Sequence, residues 1–415
     1  MHTLPPELLL MIFKFACFIN NISDTRTTIR ISHVSRAWRR LCLASPALWS
    51  NISYHSPLGY HRNYVALQKV MTYIGRSGNS PLHLDLELYA REDEGFQIIC
   101  EHSVRWKSLS LKCAQGLMPT ISWRLRKAPV PILEYLYVQD VPTGRNQEED
   151  SSGPSPLSQG KGPFSIFSGG SPKLRVLELK NGAVYYMRPV HLETLSTIHF
   201  SSAFNDLELT SSDDYEVMRI FATVSCPLVE VLMLQNISGT SWFDPPSDIY
   251  EREPEVLWNL DILQLEGSCD ISLALHRLLA QICRPLKEIV FDTGLSESPS
   301  ITSILLPRED GNPPTRPTIF FPELHSMVLQ SVDKTDAQSL LILLPGFADQ
   351  GRPIEKVALG LEIASVWLES GHGDWLREMR VEIYVEDDRD PKAPLWTRPR
   401  RTLIWRDGDQ STDSG

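Results

Sequence analysis

The stretch Leu4-Pro5-Pro6-Glu7-Leu8-Leu9 decides the fold of the N-terminal region, because it predicts a helix that starts here. Proline is tolerated in a first helical turn, where its missing N–H would have no partner, and Glu7 suits the positive end of a helix. Apolar residues then recur in steps of three and four, which places them on one side of that helix: Leu8, Leu9, Ile12, Phe13, Ala16 and Ile19.

Two more short helices are predicted before residue 50. Asp24 can cap a second helix, and the segment Val34–Leu43 predicts a third, with Val34, Ala37, Trp38 and Leu41 on one face. Ser45-Pro46 ends the third helix, and an apolar anchor follows at Leu48, Trp49 and Ile52. Three short helices bury too little surface to be robust alone, so we expect this module to pack on the rest of the chain or on a partner.

Taken together, these segments resemble an F-box, whose pattern is LPxEL, a hydrophobic pair, a V-C/S-R-x-W-R block and a closing LW. The corresponding residues are Leu4–Leu9, Ile12-Phe13, Val34–Arg39 and Pro46–Trp49. The resemblance implies binding to a Skp-type adaptor and, through it, to a cullin RING ubiquitin ligase complex. It implies these adaptor-binding residues: Leu4, Pro5, Leu8, Leu9, Ile12, Phe13, Val34, Arg36, Trp38 and Trp49.

The chain departs from that pattern in two places. Ser35 stands where many members have cysteine, and the second helix carries threonines in place of leucines. The alternative interpretation is an ordinary N-terminal helical cap on a larger fold.

Composition bounds the class of protein. The 415 residues are 42% hydrophobic and 22% charged, with a formal net charge of -11, which is ordinary for a globular protein and does not favour nucleic-acid binding. No apolar run is long enough to span a bilayer, so we expect no membrane segment. Seven scattered cysteines without a CxxC pair predict free thiols in a reducing compartment, cytoplasmic or nuclear.

A repeated unit fills the rest of the chain. The pattern L-x-x-L-x-L recurs, as in Leu133–Val138, Leu174–Leu179 and Leu260–Leu265, with helical stretches such as Leu273–Cys283 and Ala337–Phe347 between copies. Strand, turn and helix at irregular spacing are typical of a leucine-rich-repeat-like solenoid. The predicted fold class is therefore α/β (α+β overall): a small three-helix F-box followed by an irregular leucine-rich-repeat-like solenoid. A general α/β sheet without solenoid order is the alternative.

The predicted domains are an F-box at 1–53 and a repeat body at 60–405, with a disordered insert at 144–162 and a disordered tail at 406–415. The insert is rich in Gly, Ser and Pro, and the tail lacks an apolar anchor. Alternate strand positions in the body are expected to point away from the buried leucines: Glu178, Lys180, Glu230, Gln264 and Glu288. The candidate target-binding residues are Glu178, Glu230, Trp242 and Phe243.

Motifs for bond chemistry are absent from the sequence. It has no P-loop, GxSxG, HExxH or paired Cys ligands, so we expect no catalytic, cofactor-binding or metal-binding residue and no enzyme. The predicted function is that of a substrate-recognition subunit of a Skp–cullin–F-box ubiquitin ligase that holds an unknown protein target. The alternative is a scaffold for protein–protein interaction without ligase activity. The layout resembles that of the large F-box families of mushroom-forming fungi.

Overall fold

The computed structural model describes residues 4–18, 25–56, 60–90, 93–114, 117–141, 165–181, 183, 188–189, 192–201, 226–235, 256–266, 279, 281–292, 321–330, 334–360, 364, 374–375, 378–379, 381–386 and 401–405. The chain divides into two compact units, Met1–Thr194 and Leu195–Gly415. Each unit is described by itself below.

The first unit begins with the predicted helices. They are α1 (Pro6–Phe18), α2 (Thr25–Ser32) and α3 (Arg36–Leu43), and a single 3-10 turn, Pro46–Trp49, follows them. Ser35 caps α3, since its side-chain oxygen accepts a hydrogen bond from the backbone N–H of Trp38 at 3.1 Å. The prediction of a helical N-terminal module is confirmed, and its third helix begins at Arg36 rather than at Val34.

A parallel sheet follows directly from this module. Its strands lie side by side in the order β1 (Asn51–His55), β2 (Leu82–Leu88), β3 (Trp106–Ala114), β4 (Tyr135–Val141) and β6 (Val176–Lys180). The first four strands alternate with helices, namely α4 (Tyr60–Ser77), α5 (Glu94–Glu101) and α6 (Met118–Arg126). Two short strands, β5 (Ser165–Ile166) and β7 (Arg188–Pro189), pair with each other.

Leucines dominate the buried face of this sheet. In β2 every second side chain is buried, which is the alternation that the sequence predicts. The strand register aligns Leu84, Leu109, Leu136 and Leu177 across four neighbouring strands. The opposite face of strands β2 to β4 carries half-exposed polar and aromatic residues instead.

The second unit contains parallel strands of the same kind. They are β8 (Thr197–Ser201), β9 (Val231–Gln235), β10 (Ile262–Glu266), β11 (Glu288–Asp292), β12 (Ser326–Leu329), β13 (Lys356–Gly360) and β14 (Glu382–Glu386), with β15 (Arg401–Trp405) antiparallel to β14. Helix α7 (Lys334–Asp349) precedes β13. Apolar residues are buried on both faces here, because a cluster of Ile262, Val290, Val328 and Ala358 lies opposite the leucine face.

The strand pattern predicts the direction of three side chains but not their exposure. Glu178, Gln264 and Glu288 point away from the leucines, as expected, yet their exposed fractions are 4%, 3% and 9%. The Tyr135 hydroxyl donates to Glu178 Oε1 at 3.0 Å, and the Ser326 hydroxyl donates to Glu288 Oε2 at 3.0 Å. Tyr135 and Ser326, which lie on adjacent strands, therefore contact the two carboxylates and replace part of their hydration. Glu230 is exposed and Lys180 is half-exposed.

Several predictions fall outside the described residues. These are the insert at 144–162, the tail at 406–415, and the candidate target contacts Trp242 and Phe243. Among the helices that the structure describes, none is long and apolar enough to cross a membrane.

Candidate functional site

Helix α1 carries an exposed apolar face. Met11, Ile12 and Phe15 have exposed fractions of 55%, 49% and 71%, while Leu8 and the preceding Leu4 have 46% and 51%. Their spacing of three and four residues places them on one side of the helix. Soluble proteins rarely leave a contiguous group of large apolar side chains in water unless a partner covers it. This face is therefore the strongest candidate site of the first unit.

The rest of the N-terminal module adds to this exposed apolar surface. Ile29 on α2, Val34 just before α3 and Leu43 at the end of α3 are 38%, 62% and 44% exposed. Eight of the fifteen exposed large hydrophobic side chains of the described residues lie between positions 4 and 43. This concentration distinguishes the module from the remaining described surface.

The opposite side of α1 holds the module together. Phe13 is 1% exposed, and its ring centroid lies 4.7 Å from that of Trp38. Cys17 is buried beside Thr28, with Sγ and Oγ1 3.3 Å apart, and the Thr28 hydroxyl donates to the carbonyl of Leu48 at 3.0 Å. These contacts join α1 and α2 to the Pro46–Trp49 turn.

Trp49 fastens the module to the elements that follow it. Its side chain is 1% exposed, and its Nε1 donates to the carbonyl of Cys42 at 2.8 Å. The Tyr73 ring of α4 meets it edge-on at 5.1 Å, and the Arg76 guanidinium lies 4.4 Å from its ring centroid. Burial, and to a lesser extent the nearby Cys17, raises the pKa of the Cys42 thiol. The exposed face of α1 is thus presented on a well-packed support.

The structure separates the ten predicted adaptor-binding residues into three groups. Six are exposed, namely Leu4, Pro5, Leu8, Ile12, Val34 and Arg36, and two are half-buried, namely Leu9 and Trp38. Phe13 and Trp49 lie in the core, so their placement does not support direct contact with an adaptor. Their role is to pack the module, because each is enclosed by other residues of the first unit.

Four exposed residues of this surface were missed by the sequence reasoning: Met11, Phe15, Ile29 and Leu43. A signal for the first two was present, because positions 4, 8, 11 and 15 follow the helical spacing on which Leu4 and Leu8 lie. The predicted apolar stripe runs through Phe13 and Ala16 instead, and Phe13 on that stripe faces the core.

A second surface of the first unit is the polar face of its sheet. Glu87 lies between a histidine and a lysine, with Oε2 2.8 Å from His55 Nδ1 and Oε1 3.7 Å from Lys112 Nζ. On the same face, the Ser110 hydroxyl of β3 donates to Asp85 Oδ1 of β2 at 3.2 Å. The face thus consists of half-exposed polar side chains that bond to one another across strands.

Two tyrosines extend this face toward Glu178. The Tyr135 hydroxyl donates to Glu178, and the Tyr137 hydroxyl donates to Gln139 Oε1 at 2.7 Å. Burial, and then the negative charge of Glu178, raises the pKa of both tyrosines. Glu178 is therefore a buried member of this face rather than an exposed contact, while Glu230 lies in the second unit.

The described residues contain no group of three or more His, Cys, Asp or Glu side chains that could hold a metal ion. The surfaces above offer apolar burial and polar contacts, which are the means of protein recognition.

Comparison with known proteins agrees with the geometry of the N-terminal module. Residues 1–55 match the family model described as F-box-like. No curated protein matches the chain. The exposed apolar face of α1 lies within the matched residues, so the chain carries an F-box-like domain at residues 1–55, which supports an F-box protein with a role in protein–protein interaction.

Proposed function

We propose that this chain is the substrate-recognition subunit of a Skp–cullin–F-box ubiquitin ligase. The observation that carries the proposal is the exposed apolar face of α1, because it lies in a domain that matches the F-box-like family. Domains of this type typically bind a Skp-type adaptor. The adaptor would cover Leu8, Ile12 and Phe15.

The energetics of that face fit an adaptor interface. Fully burying one large apolar side chain stabilises a complex by about 1.5–3 kcal/mol, so covering the exposed half of Leu8 or Ile12 contributes about 1 kcal/mol each. Exposed apolar residues that surround them, such as Met11 and Phe15, add similar amounts. Most interface energy comes from a few such anchors.

The proposed role needs no bond chemistry from this chain. Its contribution is proximity, since holding a target beside an enzyme recruited elsewhere in the assembly raises the effective concentration of the target. We expect no enzymatic activity and no cofactor.

The repeat body would hold the target. The aligned leucines of successive parallel strands support a leucine-rich-repeat-like organisation, in which each strand buries its leucine face against its neighbours. The half-exposed polar face of the first unit is the proposed target surface, because its side chains Asp85, Glu87, Lys112 and Tyr137 are not consumed by the leucine core. Glu230, Trp242 and Phe243 stay candidate contacts.

Affinity purification tests this proposal. The parent chain and a full-length variant with Leu8→Glu and Ile12→Glu on α1 are each expressed with a tag, and co-purified proteins are identified by mass spectrometry. Adaptor and cullin are expected with the parent chain only, while the target is expected with both. A full chain that captures no Skp-type adaptor contradicts the proposal.

The alternative function is a scaffold that binds the adaptor but does not deliver ubiquitin. The same purification separates the two, because a scaffold would capture the adaptor without a cullin. A variant with Asp85→Lys and Glu87→Lys then tests the target surface, and it should lose the target while it retains the adaptor.

A further inference from the structure

The C-terminal half of α6 carries a basic and aromatic patch that the proposed function does not use. Trp123 is 52% exposed, and Arg126 and Lys127 are exposed beside it. The Arg126 guanidinium lies 5.9 Å and the Lys127 ammonium 5.6 Å from the centroid of the Trp123 ring. We define Trp123, Arg126 and Lys127 as the α6 patch.

The α6 patch has an unbalanced positive charge. The Lys and Arg ion pairs between described residues of the first unit join Lys112 to Glu87 and Lys107 to Glu134. Within the described part of the chain, neither Arg126 nor Lys127 has a carboxylate within ion-pair distance. The local charge is thus opposite in sign to the formal net charge of -11.

The patch is also held in place from below. Met118, Ile121 and Leu125 anchor α6 in the core, each at most 4% exposed. The returning chain binds the end of the helix: Phe167 N–H donates to the carbonyl of Leu125 at 3.1 Å, and Ser168 N–H and hydroxyl donate to that of Arg126 at 2.9 and 2.6 Å. Since backbone and hydroxyl donors satisfy these carbonyls, the two cationic heads are not needed to cap the helix.

We propose that the α6 patch binds an acidic linear segment of a partner protein. A guanidinium that lies over a ring keeps its N–H edges free, and those edges match a carboxylate in bidentate geometry. Tryptophan and arginine are the residues that most often dominate interfaces. The patch is small, so it fits a short segment rather than a folded domain, which would need a far larger area.

A protein segment fits this patch better than a nucleic acid does. Nucleic-acid binding draws on many phosphate contacts, and the net charge of -11 opposes it. The patch shares no residue with the exposed face of α1, so the proposed binding is independent of adaptor binding.

Fluorescence anisotropy of labelled peptides with the purified full chain tests the proposal. The probes are a peptide of about twelve Glu, Asp and Gly residues and the matching peptide with Gln and Asn. Arg126→Glu with Lys127→Glu should weaken binding of the acidic probe by about tenfold or more, and Trp123→Ala should weaken it as well. The neutral probe should not bind, and affinity for the acidic probe should fall as salt rises.

A matched double charge reversal controls for net charge. Lys173→Glu with Arg352→Glu changes the total charge by the same amount at two exposed positions that do not belong to the α6 patch. Equal weakening by this control and by the patch variant would overturn the proposal. All of these positions are exposed, and circular dichroism checks that each variant is folded.

Two further results would also overturn it. The first is equal binding of single-stranded DNA of matched charge. The second is binding of the acidic probe only after Glu148→Gln, Glu149→Gln and Asp150→Asn are introduced together. An acidic segment of the chain itself would then occupy the α6 patch. Binding of the acidic peptide by the unaltered chain, lost only in the patch variants, supports the proposal.

Discussion

Gly95→Ala is expected to destabilise the first unit, although alanine usually stabilises a helix. Gly95 lies in α5, and a Cβ placed on it would meet Tyr54 Cζ at 2.5 Å, Oη at 2.7 Å and Cε2 at 2.9 Å. These are distances that real Cβ atoms essentially never show. Either the ring or the helix must therefore shift.

The ring has little freedom to move. Tyr54 is 2% exposed, and its hydroxyl donates to Asp93 Oδ1 at 2.7 Å. The same oxygen accepts from the backbone N–H of Phe96 at 2.8 Å, so Asp93 caps α5 while it holds the ring. Burial, and then this hydrogen bond to Asp93, raises the pKa of Tyr54. Displacing the ring strains the cap and the core together.

The magnitude follows from these contacts. Overpacking a core costs about 1–3 kcal/mol, and a lost hydrogen bond adds about 0.5–1.5 kcal/mol. The gain from replacing a helical glycine is about 0.5–1 kcal/mol. We therefore expect Gly95→Ala to lower the free energy of unfolding by about 1–3 kcal/mol, and each kcal/mol to lower the Tm by about 2–4 °C for a unit of this size.

Gly75→Ala in α4 is the matched control, because a Cβ there would meet nothing within 4 Å. It should raise the Tm slightly. Thermal unfolding followed by circular dichroism compares both variants with the parent chain. A second comparison introduces Gly95→Ala into a Tyr54→Ala background, where the penalty should vanish because the ring is gone. Equal Tm changes for the two glycine variants, or an undiminished penalty without the ring, would refute the steric argument.

Two further predictions concern stability. Burial raises the pKa of Asp140 to about 6, above its unfolded value, so the folded state binds this proton more tightly and the free energy of unfolding rises as pH falls from about 6 to about 4. In denaturant unfolding, the free energy of unfolding of Asp140→Asn should therefore exceed that of the parent by up to about 3 kcal/mol at pH 7.5 and equal it at pH 4. A difference that does not change with pH contradicts this prediction. Gly360→Ala should destabilise the second unit, because a Cβ there would clash with the backbone carbonyl of Gln330. Hydrogen exchange of the β12 and β13 amides measures the loss of protection, and unchanged protection would exclude the clash.

The sequence predicted the strands well, because leucine spacing reports directly on burial. The pattern Leu133–Val138 lies at β4, Leu174–Leu179 at β6 and Leu260–Leu265 at β10. Helix Ala337–Phe347 is found as α7, longer by a few residues at each end. In each case a periodic apolar pattern has one face that must leave water, and the fold provides a core for that face.

The sequence could not predict what covers the second face of each strand. Alternation separates two faces, but whether a polar residue meets water depends on its neighbours in other strands, which are distant in sequence. Glu178 is covered by Tyr135, which lies 43 positions before it. Phe13 and Trp49 illustrate the same limit, since a family motif does not separate the residues that pack a module from those that meet a partner.

The most direct test of the account is the affinity of the full chain for a Skp-type adaptor, measured by isothermal titration calorimetry. Leu8→Ala with Ile12→Ala removes two exposed anchors of α1, worth about 1 kcal/mol each, and should weaken binding by about thirtyfold, with an unchanged Tm. Tyr64→Ala with Val65→Ala removes two even more exposed side chains of α4 and should leave the affinity unchanged. Adaptor affinity of the α1 variant equal to that of the parent would contradict the assignment of the α1 face as the adaptor-binding site.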